Sequence, residues 1–213
     1  MTAENESARD STQVPIDDDR AVRERLRTGH VALIGCGGLG SNAAAMLVRS
    51  GIGALTLVDF DVVDESNLNR QMFFRDQLGR PKTAALAETL LRVEPQVTLH
   101  LHQVCATPEN LVSLVSGADV VIEAADRAEV KAMVANVLLR ECPGIPLVSA
   151  SGLAGFGSAN HVVTERVGDS FYLVGDMESD VRNSLPLLAS RVMVAAAHEA
   201  HAAIRILLGY PEV

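Results

Sequence analysis

His30-Val31-Ala32-Leu33-Ile34-Gly35-Cys36-Gly37-Gly38-Leu39-Gly40-Ser41-Asn42 sets the fold class. His30 to Gly35 is a short, largely apolar run and reads as a buried first strand. Gly35, Gly37 and Gly40 then spell G-x-G-x-x-G between that strand and a helix expected over Leu39 to Ser50. Gly37 and Gly38 let the backbone approach a phosphate, and the free N–H groups of the helix start supply donors. Gly40, Ala43, Ala44 and Ala45 permit close packing of that helix on a sheet, and Gly51 is a natural stop. A bare strand-to-helix turn would use the same glycines, so this stretch alone does not name a chemistry.

Outward from it the pattern alternates. Strands are expected over Ala54 to Asp59, Val97 to Val104, Ala118 to Glu123 and Ile145 to Ser149. Helices are expected over Arg20 to Arg27, from Pro81 to about Val93, over Pro108 to Val115 and over Arg127 to Arg140. Pro81 is tolerated because it falls in the first helical turn. Such alternation predicts an α/β, doubly wound, Rossmann-like and mostly parallel sheet. After Ser149 the pattern changes. The segment Gly152-Leu153-Ala154-Gly155-Phe156-Gly157 leads into two β-like runs, His161 to Arg166 and Ser170 to Val174, expected as antiparallel strands extending the sheet. A final helix is expected over Leu187 to Leu208. No repeat or linker divides the body, so residues 20–213 read as one domain behind a disordered acidic tail, residues 1–19, which carries six acids and one arginine.

The chain of 213 residues is 48% apolar but only 3% aromatic, so its core must be Ala, Val, Leu and Ile, as in a sheet covered by helices. A net charge of −9 argues against nonspecific nucleic-acid binding. No apolar run is long enough to cross a bilayer and the start is wrong for a signal peptide, so a cytoplasmic address is expected. The three cysteines, Cys36, Cys105 and Cys142, have no C-x-x-C spacing and cannot make a four-thiolate zinc site. No structural zinc is expected. His198 and His201 share a helix face, a spacing that is more often a polar stripe than a site.

The stretch that separates ATP chemistry from the alternatives is Asp59-Phe60-Asp61-Val62-Val63-Asp64-Glu65-Ser66-Asn67-Leu68-Asn69-Arg70-Gln71. Asp59 ends the second strand, where an acid binds ribose, while Asp61 can join the nucleotide site or serve as a loop acid. Arg70 and Lys82 are the phosphate cations, one a planar fork and the other a movable point charge. Lys82 opens a helix, where the dipole disfavours a cation, which favours a ligand role. Asp126 follows the fourth strand at the edge where ligands bind, suited to Mg²⁺ beside phosphates and also to capping the next helix. A nicotinamide oxidoreductase would leave Asn67, Arg70 and Lys82 without a task and would lack a substrate domain. A noncatalytic nucleotide-binding protein is a further alternative, against which the intact cation and acid set argues.

Taken together, these residues resemble the ThiF/MoeB/HesA family, relatives of the ubiquitin-activating enzymes, from about Val31 to Gly209. The anchors are Gly35-Cys-Gly-Gly-Leu-Gly-Ser-Asn42, Asp59 through Gln71, Lys82 and Asp126. The short ThiF branch fits best, through Ser149-Ala-Ser-Gly-Leu-Ala-Gly-Phe-Gly157, Phe171-Tyr-Leu-Val-Gly-Asp176 and Ala195-Ala-Ala-His-Glu-Ala200. The resemblance implies an adenylyltransferase that uses ATP and Mg²⁺ on the C-terminal Gly-Gly carboxylate of a ThiS-like ubiquitin-like sulfur carrier, in thiamine (thiazole) biosynthesis or, alternatively, a molybdopterin-type pathway. It implies that Asp59 binds ribose, that Ser66 and Asn67 line the nucleotide, that Arg70 and Lys82 hold phosphates and that Asp126 holds the metal. Asn69 and Gln71 fall inside the same motif. A homodimer is also implied, with Arg20, Arg23, Arg25 and Arg27 in the region from which larger relatives send an arginine to the partner's ATP. The chain departs from many relatives in having no paired C-x-x-C, no crossover-loop cysteine, Asp126-Arg127 in place of Asp-Asn, and Lys131 where arginine is common. Sulfur would then arrive from another protein.

Overall fold

The computed structural model describes residues 13–15, 17–179 and 185–212. The seven strands are β1 (His30–Ile34), β2 (Ala54–Val58), β3 (Thr98–His102), β4 (Val120–Glu123), β5 (Leu147–Ala150), β6 (Val163–Arg166) and β7 (Phe171–Gly175). They form one sheet in the order β3-β2-β1-β4-β5-β7-β6, with α1 (Asp19–Thr28), α2 (Gly38–Arg49), α3 (Lys82–Leu91), α4 (Leu111–Leu114), α5 (Ala128–Glu141) and α6 (Ala189–Leu207) around it. All neighbouring strands run parallel except β6 against β7.

Strand β1 shows why the sheet is buried on both faces. Its alternate residues point to opposite sides. Val31 and Leu33 join a core with α2, α3 and α6, whereas Ala32 and Ile34 join a second core with α4 and α5. The small residues of α2 let it lie close to α6: Ala43 and Ala44 are fully buried, as are Ala195, Ala196 and Ala203. Strand order reverses between β1 and β4, which opens a crevice at the carboxyl ends of these strands.

The two late strands pair antiparallel with each other, as expected, and β7 joins β5 in parallel at Leu147↔Phe171. The β5–β6 connection stays at the carboxyl edge of the sheet and passes the place of β7, so the turn that follows at Gly168 brings β7 back between them. Two expectations change on the structure. The helix expected over Pro108 to Val115 is a single turn, Leu111–Leu114. Asp126 does not cap α5; Arg127 occupies the cap position and makes no side-chain cap bond.

Most of the expected acidic tail lies outside the described residues, but its last residues enter the fold. Asp18 caps α1, accepting Ala21 N–H at 2.9 Å. Val14 N–H reaches Leu208 O at 3.0 Å, Tyr210 Oη donates to Val14 O at 2.7 Å, and Arg25 Nε donates to Leu207 O at 2.8 Å. Among the described residues no helix is long and apolar enough to cross a membrane.

Candidate functional site

The site is built on loops leaving the carboxyl ends of β1, β2 and β4. Gly35 has φ +104, and a Cβ there would fall 2.7 Å from Ala124 O, so the β1 and β4 exits touch. Gly40 is tighter still: its Cβ would lie 1.9 Å from Gly35 O. These two glycines let the chain fold back on itself, with Gly37 as the cap of α2. The first N–H groups of α2 have no partner within the helix and face this edge.

Asp59 holds the loop from beneath. Its Oδ2 accepts Cys36 N–H at 2.7 Å and its Oδ1 accepts Asp61 N–H at 2.8 Å. Burial raises its carboxyl above the usual range, against the two amide donors and the Lys82 charge, which lower it. Two further lone-pair positions remain for ribose hydroxyls. Lys82, the first residue of α3, is only 6% exposed. Its Nζ donates to Asp61 Oδ2 at 2.8 Å, and its charge acts on both Asp59 and Cys36. Asp61, a nucleotide-binding candidate in sequence, therefore spends one carboxylate oxygen on Lys82 and offsets the helix dipole there.

Arg70 and Gln71 approach from the β2–α3 connection. The Arg70 side chain passes 3.7 Å from a Cβ built on Gly38, and Gln71 Nε2 lies 3.8 Å from one built on Gly37. The Arg70 guanidinium is held locally, donating from Nη1 to Ser66 O at 3.0 Å and to Asn69 Oδ1 at 2.9 Å. Gln71 is buried, and its Oε1 has no hydrogen-bond partner. An orphaned buried acceptor beside a glycine loop fits a ligand donor. Ser66 and Asn67 are used by the loop itself: Asp64 Oδ1 accepts Ser66 N–H and Ser66 Oγ, while Asn67 Oδ1 accepts Asp64 N–H at 3.1 Å. Asp126 is exposed at the mouth, following the Ala124–Ala125 turn that meets Gly35.

Several residues without an assigned role in the sequence reading shape this edge. Asn42 Nδ2 bridges Gly38 O at 2.6 Å and Arg70 O at 2.9 Å, and Ser41 Oγ accepts Met72 N–H at 3.1 Å. Together they staple α2 to the Arg70 loop. The motif Gly-Leu-Gly-Ser-Asn contained the signal, since hydroxyl and amide side chains in a first helical turn reach neighbouring backbone.

On the other flank, Arg191 and Asp176 clamp the glycine-rich loop. Arg191 Nη1 donates to Gly157 O at 2.8 Å and Ser158 O at 3.0 Å, and Nη2 donates to Asp176 Oδ2 at 2.5 Å. The two side chains are 5% and 13% exposed. Burial pushes the Asp176 carboxyl up, but the Ser179 and Glu178 amides, the Ser179 hydroxyl and Arg191 outweigh it and hold it at about 2. A depressed carboxyl contributes stability above its unfolded value, near 3.9, and loses it as pH falls through the folded value. Asp176→Asn should therefore lower the urea midpoint by a constant amount near neutrality. The gap to wild type should close as pH drops from about 4 towards 2. A gap that stays constant to pH 2 would show that the clamp acts through shape alone.

Gly152 and Gly155 each have φ +77, and Gly155 N–H donates to Pro186 O at 2.7 Å, so both are turn residues. Cys36 is buried, Cys142 half-buried and Cys105 exposed, all as free thiols. Among the described residues no three His, Cys, Asp or Glu side chains cluster as a metal-binding group. His198 instead pairs with Thr164 Oγ1 at 2.9 Å, in a groove of about 660 Å³ between β6 and α6, on the far edge of the sheet. Of the four N-terminal arginines, Arg23 bonds Asp19 and Arg25 bonds Leu207 O within the chain.

The ThiF family matches residues 11–213. The chain belongs to the ThiF family. Among curated relatives, this ThiF-family chain is 36% identical to the Xenopus laevis adenylyltransferase and sulfurtransferase MOCS3 over 61% of its own length and 28% of the relative's. It is 38% identical to the Escherichia coli tRNA threonylcarbamoyladenosine dehydratase over 59% of its length and 47% of the relative's. The matches thus span less than half of either relative. The crystal structure of the E. coli dehydratase in complex with AMP superposes with a TM-score of 0.80 and 25% identity, covering 88% of this chain and 89% of that one. The doubly wound sheet is therefore a fold this chain shares with that dehydratase.

Proposed function

We propose that this chain uses ATP to adenylate the C-terminal Gly-Gly carboxylate of a small ubiquitin-like sulfur carrier of the ThiS type, in thiazole formation for thiamine. The observation that carries this reading is Lys82: a buried cation at a helix start, tethered by Asp61 and acting on the Asp59–Cys36 contact under the glycine loop. A cation there, next to a ribose-binding acid, suits a site whose phosphates react. Names among the relatives agree with the class: adenylyltransferase and sulfurtransferase MOCS3, and ubiquitin-like modifier-activating enzyme 5 of Arabidopsis thaliana, 50% identical over 36% of this chain.

In the reaction a carrier carboxylate oxygen attacks the α-phosphorus of ATP. The bond from that phosphorus to the β-phosphate oxygen breaks, leaving acyl-adenylate and pyrophosphate. Asp59 orients the ribose, the α2 amides and Gln71 meet the nucleotide, and Lys82 and Arg70 stabilise charge on the phosphates. Asp126 fits Mg²⁺, which takes one or two carboxylates together with substrate phosphates and needs no protein cage. Bound there, Mg²⁺ would neutralise phosphate charge. The carrier tail would run along the edge bounded by Gly152–Gly157, where Phe156, 81% exposed on a clamped loop, offers an apolar contact to a protein-sized substrate. A homodimer and a cytoplasmic address complete the proposal.

The likeness to the E. coli dehydratase favours a second reading, activation of the carboxylate on a modified tRNA nucleoside. The net charge of −9 speaks against a polyanionic substrate. The test is ATP–pyrophosphate exchange with ThiS-type carrier, molybdopterin-type carrier or threonylcarbamoyladenosine-containing tRNA, with carrier-AMP followed by mass spectrometry. Exchange and a carrier-AMP adduct with the ThiS-type carrier support the proposal. Exchange driven only by the second carrier, or by tRNA, replaces it with the corresponding alternative.

A further inference from the structure

Glu123, the last residue of β4, is fully buried, and all three of its partners donate. Its Oε1 accepts Ala125 N–H at 2.7 Å. Its Oε2 accepts Ser149 Oγ from β5 at 2.5 Å and Lys131 Nζ from α5 at 3.0 Å. A group with donors on every side is an acceptor only, which is the task of a carboxylate. Ala125 immediately precedes Asp126, and Lys131 lies on α5 shortly after it. Glu123 thus grips the β4–α5 turn on both sides of Asp126.

The same turn is pressed against the glycine loop. Ala124 N–H donates to Ile34 O at 2.8 Å, and Ala124 O is the atom that a Cβ on Gly35 would meet. Asp126 is exposed, and α5 starts without a side-chain cap. Its position is therefore set by what holds the turn. Glu199 of α6 is buried nearby with neither carboxyl oxygen partnered. Burial pushes its carboxyl well above the usual range, the Lys131 charge opposing this and Glu123 adding to it. The Lys131 ammonium bonds Glu123 and neither oxygen of Glu199.

We propose that Glu123 is a positioning residue for Asp126, its carboxylate locking the β4–α5 turn against the glycine loop with Lys131 and Ser149 as its anchors. This inference rests on the assignment of Asp126 to the metal–phosphate edge made above. Glu123→Gln keeps the shape but turns one acceptor into a donor, so the Ala125 and Lys131 contacts cannot both survive. In that variant the Mg²⁺ concentration for half-maximal pyrophosphate exchange should rise about 10–100-fold, the scale for losing a partner that orients a ligand. ATP affinity measured in EDTA should stay at the wild-type value. Amide hydrogen exchange should accelerate in the peptide spanning residues 120–127 while α2 stays protected.

Unchanged Mg²⁺ dependence together with unchanged protection in that peptide would overturn the proposal. So would a uniform loss of protection across the chain without a shift in Mg²⁺ dependence, which is the signature of a merely structural role. If wild-type protein shows pyrophosphate exchange with none of the carriers, the proposed function fails. Hydrogen exchange in the variant then still decides whether Glu123 holds the turn. Should Glu123→Gln not fold, Ser149→Ala removes one anchor and is measured in the same way.

Discussion

Lys82→Met should cut carrier adenylation by about two to three orders of magnitude, the scale for removing one preorganised donor to transition-state charge. The variant separates chemistry from folding unusually well. Met fills the volume of the lysine stem, and the carboxylate it leaves behind, Asp61, is 47% exposed and can be rehydrated. The melting temperature should therefore move little while turnover collapses. Arg70→Ala belongs to the same scale, but its guanidinium also holds Ser66 O and Asn69 Oδ1, so part of its loss would come from loop geometry. Near-normal pyrophosphate exchange in a folded Lys82→Met protein would remove Lys82 from the phosphate site and with it the observation on which the proposed function stands.

Gly40→Ala should abolish nucleotide binding. The added methyl would lie 1.9 Å from Gly35 O and 3.3 Å from the Ala124 side chain. Backbone cannot rotate out of the way as a side chain can, so the β1 exit and the start of α2 must separate. The stability cost should reach the upper end of the roughly 1–3 kcal/mol typical of overpacking. Calorimetry with ATP checks the first expectation and denaturant titration the second. Wild-type affinity in this variant would mean that the glycine loop yields without consequence and that phosphates are held elsewhere. Gly37→Ala is the informative contrast, because its Cβ would meet nothing closer than Gln71 Nε2 at 3.8 Å.

Much of this architecture was legible because its signals are local. The apolar runs at β1, β2, β4 and β5 and the glycines between β1 and α2 declare themselves within a few residues. Asp59 could be placed because it ends a strand next to such a loop. What could not be read depends on partners distant in the chain. That β7 rather than β6 lies beside β5 follows from the path of the preceding connection, not from the residues of Phe171–Gly175. A propensity pattern reads Pro108 to Val115 as a helix, but only Leu111 of α4 is fully buried and the element closes after one turn. Glu199 sits between two histidines in a helix, where an acid ordinarily faces water, and its burial is visible only once α6 lies on the sheet. The Asp61–Lys82 and Asp176–Arg191 pairs have no fixed spacing to announce them.

The bonds joining Val14 to Leu208 and Tyr210, and Arg25 to Leu207, bring the two ends of the described fold side by side. Leu207 also approaches Gly29, just before β1, so this meeting lies at the amino edge of the sheet, opposite the glycine loop. From Val14 to Leu208 the described fold is in effect a ring with one short gap. Closing such a gap costs little loop entropy, so a circularly permuted protein, joined there and opened at the exposed turn between β6 and β7, retains every strand neighbour. For the same reason a domain joined directly at Val14 or Leu208 would start on the side away from the crevice, leaving a protein-sized substrate free to approach the opposite edge.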